Sequence, residues 1–190
     1  DEVLEWKPPF AKWFTGGKIN ASFNCLDRYM DSEQKDKDAY IWEGENGDKR
    51  TLTYAQLYEE VNHFASALLN LGVKKGDKIA FYMPMVPEFP VAILAATRIG
   101  ATFTVVFSGF SAAALADRIN DSQAKLVITS DGGFRRGKIL KLKEIVDDAL
   151  TKTSTVANVI VLKRAGIEIN MEENRDIWWE DAIKDTDDFV

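Results

Sequence analysis

Leu57, Val61, Phe64, Leu68 and Leu71 recur at spacings of four and three, the period of a helix that buries one stripe. Thr53 and Gln56 in TYAQ stand at capping-box spacing before it, and Gly72 ends it. Ahead of this helix, AYIWEG reads as a strand from its β-branched and aromatic residues. Behind it, short apolar runs alternate with amphipathic stretches. KIAFYM is predicted as a strand, PEFPVAILAATRIG as a helix with prolines in a tolerant first turn, and ATFTVVF as a strand. Ser111 caps a helix over AAALADRIND, AKLVITS is a strand, ILKLKEIVDDALTK a helix and VANVIVLK a strand. RDIWWEDAIKD predicts one short helix in which Trp178 and Trp179 are packing groups.

Nearly continuous apolar strands alternating with helices predict an α/β fold, a mostly parallel sheet with helices on both faces. Such sheets bind ligands at loops beyond the carboxyl ends of their strands. FSGFS and SDGGFRRGK both fall there.

Residues 1–34 break the pattern. Trp6, Phe10, Trp13, Phe14 and Phe23 surround PP and GG, which predicts an irregular arm that wraps a surface. The polar run Asp31 to Asp38 divides this arm from the patterned body, residues 35–190. The chain starts without methionine and stops inside an acidic stretch, so either end is expected to be a cut.

Composition narrows the classes. With 190 residues, 46% of them hydrophobic and 28% charged, the chain suits a globular domain with a real core. A net charge of −6 argues against general nucleic-acid or anionic-membrane binding, which needs broad cationic surface. No apolar run approaches the roughly 18 to 20 residues of a spanning helix, and DEVLEWKPPF is not a signal peptide, so a soluble, cytoplasmic location is expected. Cys25, the single cysteine, reads as a small buried hydrophobe, and His63, off the apolar stripe, as a solvent-facing side chain. No Cys/His cluster, nucleophile triad or carboxylate pair stands out.

Against that acidic background Arg135, Arg136, Lys138, Lys141 and Lys143 place five cations within nine residues, behind Gly132 and Gly133. Gly132 to Lys138 spells G-x-x-x-x-G-K between a predicted strand and a predicted helix, the setting of a P-loop. Ile139 then stands where a P-loop needs a hydroxyl for magnesium, and two arginines crowd the backbone cradle. A simpler anion site remains, built from glycines, a helix N-terminus and guanidinium groups that grip phosphate oxygens in pairs. The alternative is solvated surface charge. For Lys141 with Glu144 and Lys143 with Asp147, helical spacing makes an exposed ion-paired face the expectation.

WKPPFAKWFTGGKINASFNCLDRY, the block from LTYAQ to RIGA, VVFSGFS and KLKEIVDDAL together resemble the N-terminal part of the AMP-forming acetyl-CoA synthetases, within the adenylate-forming ligase superfamily. The resemblance runs from about Trp6 to Trp179. It implies a partial N-terminal domain of a ligase that uses ATP with Mg2+ to turn acetate into acetyl-AMP and then transfers the acetyl group to CoA. The family's adenylation motifs find no match here, so the resemblance implies a piece inactive alone, with acetate and ATP bound by a remainder that could be separately encoded. A propionyl-CoA synthetase piece and a non-catalytic α/β binding module are the alternatives. The family's R-x-G-R loop for the CoA 3′-phosphate and adenine is matched by Arg135, Arg136, Gly137 and Lys138. Its FGGF turn against the CoA adenine is matched by Phe107, Ser108, Gly109 and Phe110. Lys138 replaces a two-pronged guanidinium with a point charge, and Ser108 replaces a glycine. A sheet cut before its last strands is also expected to leave apolar surface that associates.

Overall fold

The computed structural model describes residues 2–186. Its chain opens with strands β1 (Glu2–Lys7) and β2 (Phe10–Thr15) and helix α1 (Ala21–Cys25). Then come strands β3 (Asp38–Glu43) and β4 (Lys49–Thr53), helix α2 (Tyr54–Asn70), strand β5 (Lys78–Tyr82), helix α3 (Glu88–Arg98) and strand β6 (Thr102–Val105). Helix α4 (Ala112–Ser122), strands β7 (Leu126–Ser130), β8 (Gly133–Arg135) and β9 (Lys138–Leu140) and helix α5 (Leu142–Leu150) follow. Strands β10 (Asn158–Leu162) and β11 (Asp176–Trp178) and helix α6 (Trp179–Ile183) complete it.

Five strands form one parallel sheet in the order β11-β10-β7-β5-β6. Alternate residues of each strand point to opposite faces, which divides the core in two. On one face Ile79, Phe81, Leu126, Ile128, Ile160 and Leu162 pack against α2, α3 and Trp179. On the other, Ala80, Tyr82, Val127, Val159 and Val161 meet α4 and α5. The predicted α/β class with helices on both faces is therefore present. The order reverses at β5, with β6 on one side and β7 on the other, so the crevice beyond their carboxyl ends is the switch point of the sheet.

Local signals explain the long helix. Thr53 Oγ1 accepts from the Gln56 amide, and the Gln56 side chain accepts from the Thr53 amide. At the far end Gly72 has φ +80° and the Val73 amide reaches back to the Leu68 carbonyl, the left-handed stop a glycine permits.

Several expectations need correction. The arm is not irregular: β1 and β2 pair antiparallel, Leu4 opposite Trp13 and Trp6 opposite Ala11. Aromatic and aliphatic residues favour strands there, while Pro8 and Pro9 fall in the turn and Gly16 and Gly17 after it. Asn20 caps α1 and donates to the Thr97 and Arg98 carbonyls at the end of α3. Cys25 is exposed, because α1 turns Ser22 and the following Leu26 inward instead. His63 is half-buried, its Nδ1 3.0 Å from Thr186 Oγ1, because α6 packs along α2. RDIWWEDAIKD is a strand followed by a helix: Ile177 pairs with Ile160 on the open edge of β10 before Trp179 starts α6 and stacks on Phe64 at 3.8 Å. Positions 187–190 of the expected second unit lie outside the described residues.

The predicted helix from Ile139 begins only at Leu142. Lys143 in its first turn is not on a solvated face. Its side chain is fully buried, and its Nζ donates to Asp147 Oδ1 and Oδ2 at 2.7 and 2.8 Å and to the Asn170 carbonyl at 2.9 Å. Asp176 on β11, also with a buried side chain, lies 2.8 Å away and is gripped by Arg175 as well. Lys141 does pair with Glu144 at the surface, at 2.8 Å.

Candidate functional site: a cationic hairpin at the switch point

At the carboxyl end of β7 the chain does not enter a helix; it makes a hairpin of β8 and β9 first. Gly133 pairs with Leu140, Phe134 with Ile139 and Arg135 with Lys138. Arg136 and Gly137 form the two-residue connection, with φ of 52° and 69°, the doubly left-handed turn whose twist suits a hairpin. Backbone groups of this segment are thus spent on a ladder, so G-x-x-x-x-G-K is not a P-loop. Nor do Arg135, Arg136 and Lys138 stand at a helix N-terminus. Gly132 is required by space, since a Cβ there would lie 2.8 Å from the Leu140 carbonyl oxygen.

The hairpin tip holds conflicts that no local preference explains. Arginine occupies a left-handed position, which favours glycine or asparagine. Arg135 faces Lys138 across the ladder, and directly opposed like charges repel. Among the described residues, Arg135, Arg136 and Lys138 form no ion pair with a carboxylate. Such departures from local consistency gather at functional sites.

The floor beneath is rigid. Asp131, fully buried, accepts through Oδ1 from the amides of Gly132, Arg164 and Ala165 at 2.6, 2.8 and 2.9 Å, and through Oδ2 from Gly166 at 2.6 Å. One carboxylate thereby ties the end of β7 to the loop after β10. That loop presents Arg164, whose guanidinium lies 5.2 Å from the Trp42 ring and 5.0 Å from the Phe134 ring. Arg164 also holds Asp48 at 2.6 Å and Asn46 at 2.8 Å on the β3–β4 turn. The hydrogen bond from Arg164, with help from Asn46, keeps the Asp48 carboxyl below the ordinary value.

The second wall is the turn after β6, closed by the Phe110 amide on the Phe107 carbonyl at 2.9 Å. Tyr82, the last residue of β5, fixes it from below: its hydroxyl donates to the Phe110 and Ser108 carbonyls at 2.7 and 3.2 Å. Burial pushes the Tyr82 phenol up, so it stays a donor. Phe107 and Phe110 meet edge to face at 5.8 Å, and the Arg135 guanidinium lies 4.9 Å from the Phe107 ring. A Cβ on Gly109 would stand 2.4 Å from Arg135 Nη1 and 2.6 Å from Phe107 Cε1. Of the two central turn positions, then, Gly109 is the one where a side chain does not fit, while Ser108 is accommodated.

The fold brings Phe107, Ser108 and Arg135 to one cavity of about 290 Å³, with Trp42, Met85, Phe134 and Arg164 on its other sides. Gly109 lies against Arg135, and Phe110 props Phe107. Arg136, Gly137 and Lys138 stand exposed at the rim rather than in the cavity lining. Sequence reasoning missed Tyr82, Asp131, Arg164 and Trp42. Tyr82 did carry a signal, since a tyrosine in a buried strand needs a partner for its hydroxyl. Asp131 carried a weaker one as an Asx residue before two glycines; Arg164 had none. Among the described residues no cluster of His, Cys, Asp and Glu could hold a metal ion, and no helix is long and apolar enough to cross a membrane.

Fold and loops define a class: a doubly wound α/β domain that presents aromatic and cationic loops at the switch point of a parallel sheet. Comparison with known sequences then gives the family. Residues 28–189 match the model of the AMP-binding enzymes, and the chain belongs to that family. Residues 1–25 match the model described as the acetyl-coenzyme A synthetase N-terminus. An acetyl-coenzyme A synthetase of Pyrobaculum aerophilum is 56% identical over 194 aligned positions, covering 97% of this chain and 29% of the relative. Those of Rubrobacter xylanophilus and Chlorobaculum tepidum are each 52% identical, over 98% and 96% of this chain and 29% and 28% of their own lengths. The chain thus spans less than a third of the curated relatives it matches.

Proposed function

We propose that this chain supplies the CoA-nucleotide surface of an acetate–CoA ligase acting in the cytoplasm, with Arg135, Arg136 and Lys138 receiving the 3′-phosphate and the Phe107–Phe110 turn receiving the adenine. ATP, its Mg2+ and acetate are bound by the remainder of the ligase, continuous with this chain or separately encoded. Residues 1–34 serve as an arm, and residues 35–190 as the first part of the adenylating domain. The names and identity of the relatives support the activity. The observation that carries the site is the hairpin tip itself: three cations held against local preference, without carboxylate partners among the described residues, one of them over an aromatic ring.

Arginine over a phenylalanine face leaves its edge donors free for phosphate oxygens. A charge-assisted hydrogen bond of this kind contributes about 1.5 to 3 kcal/mol, roughly tenfold or more in affinity. Titration of the 190-residue chain with CoA and with 3′-dephospho-CoA, followed by NMR, tests the reading. Tighter binding of CoA is expected, with shifts at Phe107–Phe110 and Arg135–Lys138 and loss of the preference in Arg135→Ala. Equal binding of both ligands would refute it.

A further inference from the structure

One carboxylate does touch the cationic tip, through the backbone rather than a side chain. Glu45 Oε1 accepts from the Gly137 amide at 2.7 Å. The loop that delivers it is built, not loose. The Gly44 amide reaches the Asp48 carbonyl at 2.7 Å and the Gly47 amide the Gly44 carbonyl at 2.9 Å, while Arg164 holds Asn46 and Asp48 from outside. Gly44 itself is confined, a Cβ there standing 2.7 Å from the Trp42 ring and 2.9 Å from Arg164 Nη2. Glu45 remains exposed, with solvent available if it lets go.

We infer that Glu45 is an internal stand-in for the phosphate: in the free protein it occupies the Gly137 amide and partly offsets Arg135, Arg136 and Lys138, and an arriving phosphomonoester displaces it. The inference rests on the CoA-phosphate reading and adds the residue that sets its selectivity. A phosphomonoester carries more negative charge than a carboxylate and several acceptor oxygens, so it satisfies both the amide and the cations. Small anions without a second foothold compete poorly with a tethered carboxylate. A nucleotide that also rests on the Phe107 ring does not suffer that limit.

The test titrates the 190-residue chain and Glu45→Gln with CoA, 3′-dephospho-CoA and inorganic phosphate, following the Gly137 amide resonance. Glutamine keeps an acceptor for Gly137, so the turn is retained while the charge is lost. Glu33→Gln, with the same change in net charge on a segment remote in sequence, is the control. The expected result is roughly three- to tenfold tighter binding of CoA and inorganic phosphate by Glu45→Gln, unchanged 3′-dephospho-CoA binding, and no gain in the control. If the wild-type chain prefers CoA over 3′-dephospho-CoA but Glu45→Gln binds CoA no better, Glu45 only props the turn; the displacement is then wrong and the CoA reading stands. If neither chain distinguishes the two ligands, the CoA-phosphate reading fails and this inference fails with it.

Discussion

Replacing Asp176 with asparagine tests the charge network under α5. The Asp176 carboxylate receives Lys143 Nζ at 2.8 Å, Arg175 Nε at 2.6 Å and Nη2 at 3.0 Å, and the Glu172 amide at 2.8 Å. Breaking a buried pair by removing one partner costs about 3 to 5 kcal/mol, because a buried charge is left uncompensated. Lys143 here keeps Asp147 and the Asn170 carbonyl, and Arg175 keeps Asp147 and Glu172. The loss should therefore fall at or below the low end, about 2 to 3 kcal/mol, or roughly 5 to 10 °C in melting temperature for a domain of this size. Circular-dichroism melts at neutral pH measure it, with the exposed Asp148→Asn on α5 expected to stay within about 1 °C. The acid limb gives a second reading. Burial alone would raise the Asp176 pKa, but the hydrogen bonds from Arg175 and Lys143 outweigh it and hold the group below its ordinary value of 3.8. Its contribution is full above the unfolded value and is lost as pH falls through the lower folded value. The wild-type advantage over Asp176→Asn should accordingly shrink only below about pH 4. A variant that melts with the wild type at neutral pH would show that the network adds nothing over neutral hydrogen bonds.

Gly109→Ala should lower the melting temperature modestly, because both the Arg135 guanidinium and the Phe107 ring must shift to admit a Cβ, and should weaken CoA severalfold by disturbing the Arg135–Phe107 stack; equal affinity in calorimetry would disprove that placement. Thr53→Ala removes the side-chain half of the capping box of α2 and should cost about 1 kcal/mol, read from urea unfolding. Trp6, Phe10 and Trp13 are all more than 60% exposed on the β1–β2 hairpin, so the chain should self-associate at high concentration. Light scattering should show this reduced in a triple serine variant, and a clean wild-type monomer would contradict it.

Periodicity carried far along this chain. The strands β5, β7 and β10 of the parallel sheet are apolar on both faces and alternate with amphipathic helices, two of which, α2 and α4, carry side-chain caps, so their places along the chain and their class follow from local residues. Legibility fails where a partner distant in sequence decides. Lys143 looks like half of a surface pair until Asp176, thirty-three positions later by number, covers it. Lys138 to Leu140 look like the start of a helix until Gly133 to Arg135 take up their backbone groups. The same holds for the site. Its cations and its Phe107–Phe110 turn were visible as composition and as resemblance, but the Asp131 nest and the stacked Arg164 join segments more than thirty residues apart and leave no period to detect.

The Asp131 nest reaches into how the molecule breathes. Loop amides ordinarily exchange their hydrogens with water quickly, through small local openings. The amides of Arg164, Ala165 and Gly166 are bonded to a carboxylate buried at the end of a central strand, so releasing them means exposing that charge to the core. They should exchange with the slow set of β7 and β10, while the amide of Arg136 at the exposed hairpin tip exchanges with the fast set. A ligand at this place would meet a stiff floor with a pliant lip, and the lip alone would tighten around it.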